Sequence, residues 1–62
     1  MTRAEALELI YRDVYDDAAS FGEMPDICAY SAHQCREFYS CCSNAVLAGA
    51  VEDHTGVRPV IR

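Results

Sequence analysis

The chain has 62 residues, 52% of them apolar, with a net charge of −5 and no lysine or tryptophan. One domain is the most that such a length allows, and a domain this small hides only about 60% of its extended-chain surface on folding. The apolar fraction excludes disorder as the default, but much of it is Ala and Cys, whose burial at about 25 cal/mol per Å² makes a thin core that dimerisation or docking would supplement.

The charge is segregated. Residues 1–26 hold seven acids, Glu5, Glu8, Asp13, Asp16, Asp17, Glu23 and Asp26, against Arg3 and Arg12, whereas the rest of the chain is balanced. An acidic chain is repelled by phosphates and by anionic lipid headgroups, so neither direct nucleic acid binding nor membrane association is expected. Its electrostatic complement is a basic protein surface. The start Met-Thr-Arg-Ala-Glu lacks the apolar core of a secretory signal, and no run reaches the roughly 18 apolar residues of a membrane span. A soluble, cytoplasmic protein is the expectation, in a host cell's cytoplasm if a phage encodes it.

In chain order, Thr2-Arg3-Ala4-Glu5 has the form of a capping box and opens a first helix. Ala4, Leu7, Ile10, Tyr11, Val14, Ala18 and Phe21 form its apolar stripe at about 100° per residue. Glu8 and Arg12 are spaced to pair within the helix. Asp13, Asp16 and Asp17 crowd its C-terminal half, where carboxylates oppose the helix dipole. Leu9 projects into this acidic face, an apolar anchor ringed by carboxylates. Gly22 suits a helix C′ position, and Glu23-Met24-Pro25-Asp26 reads as a turn.

A second helical region follows, with two competing starts. Asp26 can cap a helix running directly onward, or Ser31-Ala32-His33-Gln34, a further capping-box pattern, can open the main helix after a break near Tyr30; the second start is favoured. Cys28, Ala32, Cys35, Tyr39, Cys42 and Val46 then share one stripe, widened by Phe38 and Gly49, with His33, Glu37, Ser40 and Asn44 opposite. Tyr30, Cys41, Ala45 and Ala48 lie off that stripe, so the helix needs cover on more than one side. Gly56 ends it, and Pro59 makes the tail extended, with Val57, Val60 and Ile61 able to lie across the helices. The core expected is Cys35, Tyr39 and Cys42 against Leu7, Tyr11 and Val14, and Tyr15 and Tyr30 look the most exposed of the aromatics.

No motif carries catalytic or cofactor chemistry. Cys28, His33, Cys35, Cys41, Cys42 and His54 are six candidate metal ligands, but there is no Cys-x-x-Cys, and ligands seven apart on a helix are separated by about 10.5 Å along its axis. No metal and no cofactor is expected, and the cysteines read as small hydrophobes. The adjacent Cys41 and Cys42 could not bond without disrupting a helix. His33 sits one turn from Glu37, and His54 falls at a helix end where a cation complements the dipole.

The expected fold is all-α: a helical hairpin or three short helices with an extended C-terminal tail, in one domain over residues 1–62. The expected function is non-enzymatic binding of a larger protein's basic, nucleic-acid-binding surface through Glu5, Leu9, Asp13, Asp16, Asp17, Glu23 and Asp26. In size and acidity the chain resembles the small phage or mobile-element inhibitors of bacterial nucleic-acid effectors, such as anti-CRISPR proteins and other DNA mimics. That resemblance, carried by gross properties and by no residue motif, implies inhibition by occupying the path of the phosphates. The alternative is a small assembly or adaptor module that homodimerises through the Cys28/Cys35/Cys42 face, and a third reading is a metal-dependent regulator built on the cysteines.

Overall fold

The computed structural model describes residues 1–62 and contains three helices and no strand: α1 Arg3–Ser20, α2 Pro25–Ser40 and α3 Asn44–Thr55, then an extended tail. The all-α class and the tail follow the sequence reading. α1 starts on the expected capping box: the Thr2 hydroxyl accepts from the Glu5 N–H at 3.1 Å, and the Glu5 carboxylate accepts from the Thr2 N–H at 2.9 Å. It ends where Gly22 takes φ +86°, which lets the Gly22 N–H reach the Ala19 carbonyl and the Glu23 N–H reach the Ala18 carbonyl. This paired closure satisfies carbonyls that a helix end leaves orphaned, and it needs a residue without a Cβ at the left-handed position.

The second helical region departs from expectation at both ends. α2 runs directly from Pro25, whose missing N–H costs nothing at the first helical position, and there is no break near Tyr30. Asp26 lies in the first turn rather than capping the helix from outside. The break falls at residues 41–43 instead, where the Ser43 hydroxyl accepts from the Val46 N–H at 3.3 Å and caps a separate α3. Cys42 is therefore beyond the end of α2 and does not continue a stripe from Cys28 and Cys35. Gly56, at φ +82°, terminates α3 as expected.

That extra break creates a second partner for α1. α1 packs against both α2 and α3, while α2 and α3 touch each other only marginally. The core is centred on Ala6 and Ile10 of α1 and Leu47, Ala50 and Val51 of α3, with Leu7, Leu9, Val14, Cys35, Tyr39 and Ile61 packed around it. Cys28 and Ala32 are buried on α2, and Ala48 on α3. Leu7, Val14, Cys35 and Tyr39 thus contribute as expected, but they surround the core rather than form its centre. Ala4 and Val46, assigned to buried stripes, are exposed, whereas Ala6 and Ala48 are buried. Each inversion follows from the added α3, which turns a two-helix problem into three.

Fully burying a side chain such as Ile10, Leu47 or Val51 contributes about 1.5–3 kcal/mol, and four of the eight buried residues are alanines that contribute less. Polar contacts must therefore hold much of the geometry. The principal one is Arg3. Its guanidinium donates to Asn44 Oδ1 at 2.6 Å, to the Cys42 carbonyl at 2.7 Å and to the Ser40 carbonyl at 3.2 Å, pinning the α2–α3 turn to the start of α1. The Asn44 amide donates in turn to the Ile61 carbonyl at 3.4 Å, and the Met1 amine and carbonyl bond Val60 and Arg62. Of the tail residues expected to lie over the helices, Ile61 does so; Val57 and Val60 remain exposed.

Two outcomes test this account. Arg3→Ala should lower unfolding free energy by about 2–3 kcal/mol in urea melts followed by circular dichroism, a large share of the few kcal/mol such a domain holds, and Arg3→Lys should restore only part because an ammonium lacks the fork. The second concerns Glu5, whose carboxyl is held below the usual glutamate range, first by the Thr2 backbone N–H and then by the Thr2 side chain. A depressed folded value means this stabilisation is present above the unfolded value and is lost as pH falls through the lowered folded one. Across that acid window the wild type should lose stability relative to Glu5→Gln, which keeps an acceptor and cannot titrate, in melts repeated over a pH series.

Candidate functional site

The residues predicted as one acidic binding face divide into two groups. Glu5 is spent on the capping box. Leu9 is half-buried against the core rather than projecting as an anchor, and Asp13 bonds His54 of α3. Both lie on the flank of α1 that faces α3, so the break that sets α3 apart from α2 leaves them only partly exposed. His54, expected only to complement a dipole, is the partner that holds Asp13. Glu8 pairs with Arg36 across to α2 at 2.6 Å instead of with Arg12, and the Arg36 guanidinium also lies 4.6 Å from the centroid of the Tyr11 ring.

Asp16, Asp17, Glu23 and Asp26 behave differently. All four are exposed and none takes part in a salt bridge; only Asp26 has a carboxylate contact, accepting from the adjacent Ile27 N–H. They belong to the last two turns of α1, the connecting turn and the first turn of α2, so the Gly22 closure and Pro25 gather them at one end of the hairpin. Arg3 pairs with Asn44, and Asp13 with His54, at equal separations along α1 and α3, so the two helices run parallel. α3 ends beside Asp13, whereas α1 continues to Ser20. The acidic end is the part of α1 that α3 does not reach.

Apolar side chains stand among these carboxylates. Phe21 is 81% exposed, Met24 65% and Tyr30 67%, with Ile27 close to half exposed. Phe21 was expected in the buried stripe of the first helix, and it is exposed because α3 stops short of it. Phe38, expected to widen the buried stripe of the second helix, is 69% exposed, with its ring edge-on to Tyr39. Tyr30 is exposed as read from sequence, while Tyr15 is half-buried and stacked on Tyr11. The signal that could have located this outer surface is the 3-4-4 spacing of Ile27, Tyr30, Gln34 and Phe38, which describes one helical face.

The cysteines do not share one exposed face. Cys28 is buried and Cys35 packs on the core, where burial pushes the Cys35 thiol up. All four cysteines are free, and no three His, Cys, Asp or Glu side chains come together as a ligand cluster. His33 lies 3.9 Å from Glu37 on the outer side of α2, as its spacing suggests. No helix is long and apolar enough to cross a membrane. Compared with protein-family models, curated proteins and solved structures, the chain matches none.

The last turn of α1 contains no basic residue, so Asp16 and Asp17 face the negative end of its dipole without compensation. Asp16→Asn and Asp17→Asn should each raise stability, by about 0.3–1 kcal/mol at low salt. A thermal melt decides the sign, and a loss of stability would mean that these carboxylates make folding contacts.

Proposed function

We propose that the protein is a non-enzymatic binding protein whose acidic hairpin end occupies a basic, nucleic-acid-binding surface of a larger effector, as inhibitors of the anti-CRISPR and DNA-mimic type do. The observation that carries this reading is the division of the acids. Glu5, Glu8 and Asp13 have partners within the chain, whereas Asp16, Asp17, Glu23 and Asp26 gather at one end and none of them takes part in a salt bridge. Against the helix dipole, Asp16 and Asp17 cost the fold stability at the end of α1, whereas Asp26 complements the start of α2, so selection on a partner is the economical explanation for the two that oppose the dipole. Exposed carboxylates on a fixed backbone raise the encounter rate with a cationic surface and exclude phosphates from it.

The test is affinity capture at low and high salt, comparing the wild type with the combined Asp16→Asn, Asp17→Asn, Glu23→Gln and Asp26→Asn variant. The wild type should retain a nucleic-acid-binding protein that is released by salt and by competing duplex DNA, and the neutral variant should not retain it. Capture that is indifferent to both salt and neutralisation would sink the reading.

A further inference from the structure

The outer face of α2 has no partner within the chain. Ile27, Tyr30 and Phe38 follow one another along it at helical spacing, with Gln34 between them and Met24 just before, and the four apolar side chains are 45–69% exposed. Singly exposed apolar residues need no cause, but a stripe running the length of a helix marks a contact surface. The charges beside it have one sign. Glu23, Asp26 and Glu37 are exposed on or next to this half of α2, and its sole arginine, Arg36, is turned toward α1 by its bond to Glu8. The only other cationic candidate there, His33, already faces Glu37.

That combination selects an occupant. A second copy meeting this face across a two-fold axis would present the same acids and no arginine, since Arg3 and Arg58 are engaged within the chain and Arg12 and Arg62 belong to α1 and the tail. We infer that the outer face of α2 receives a basic amphipathic helix, its apolar side on Met24, Ile27, Tyr30 and Phe38 and its Lys or Arg flanks against Glu23, Asp26 and Glu37. The stripe spans about four turns, roughly 20 Å, which an approaching helix of about 14 residues matches. This rests on the reading that the partner is basic, and deepens it by specifying the shape of the element recognised.

Three synthetic peptides of about 18 residues serve as probes: an amphipathic Leu/Lys helix, a scramble of the same composition with no helical face, and an amphipathic Leu/Glu helix. Binding is followed by amide chemical shifts for the wild type and for a Tyr30→Ser, Phe38→Ser variant, whose fold circular dichroism verifies; both side chains are exposed and neither belongs to the core. The Leu/Lys helix should shift amides along α2, and the double variant should weaken its binding by about tenfold or more while the scramble stays weak. Equal binding of the Leu/Lys helix and its scramble, with shifts confined to Asp16, Asp17, Glu23 and Asp26, overturns the inference and leaves the electrostatic reading standing. Absence of binding by all three overturns it, as does equal binding of Leu/Glu, and the latter also removes the cationic partner. Sedimentation equilibrium showing a dimer that the double variant abolishes assigns the face to a second copy and overturns it as well.

Discussion

The Arg3 guanidinium donates to Asn44 and to the carbonyls of Ser40 and Cys42, and the placement of α3 and the tail against α1 depends on it. A helix end leaves carbonyls without partners, and a chain that stops one helix and starts another within four residues concentrates several of them in one place. A planar, permanently charged fork from the start of α1 satisfies them together. Through Asn44 the same network reaches Ile61, so the beginning of the chain, the α2–α3 turn and the tail are fastened at one point. α3 then runs alongside α1 because its first residue is tied to the first residue of α1, and Asp13 with His54 repeats the tie farther along.

How much of this was legible in sequence follows from the range of each interaction. The capping box at Thr2 and Glu5, the stops at Gly22 and Gly56 and the extended tail at Pro59 are local devices, set by residues within four positions of one another, and all are where their spacing puts them. The break at residues 41–43 has no Gly or Pro to announce it, and Ser43 is followed three residues later by Val46 rather than Glu or Gln, so half of the usual signature is missing. It is fastened by Arg3, distant in sequence. Hydrophobic periodicity cannot reveal a turn stabilised from the far end of the chain.

The site inherited that error in a traceable way. A helical wheel drawn with a single partner for α1 leaves Leu9 and Asp13 outside, and the third helix covers that flank. Asp16, Asp17, Glu23 and Asp26 were read correctly as exposed acids because they lie beyond the reach of α3, where the two-helix picture still applies. The exposed stripe on α2 was obscured for a related reason. With the helix drawn onward through α3, Phe38 seemed to join a buried face that in fact ends at Tyr39.

α3 stops short of the end of α1, and this has a consequence for how the protein can change over generations. The fastening network lies toward one end of an elongated molecule of 34 × 22 × 14 Å, and the hairpin tip lies beyond the end of α3. Substitutions at Phe21, Met24 or Glu23 alter what the tip presents without disturbing Ile10, Leu47 or the Arg3 network, so the two ends can drift independently. A lineage can rewrite that exposed surface residue by residue at little cost to folding.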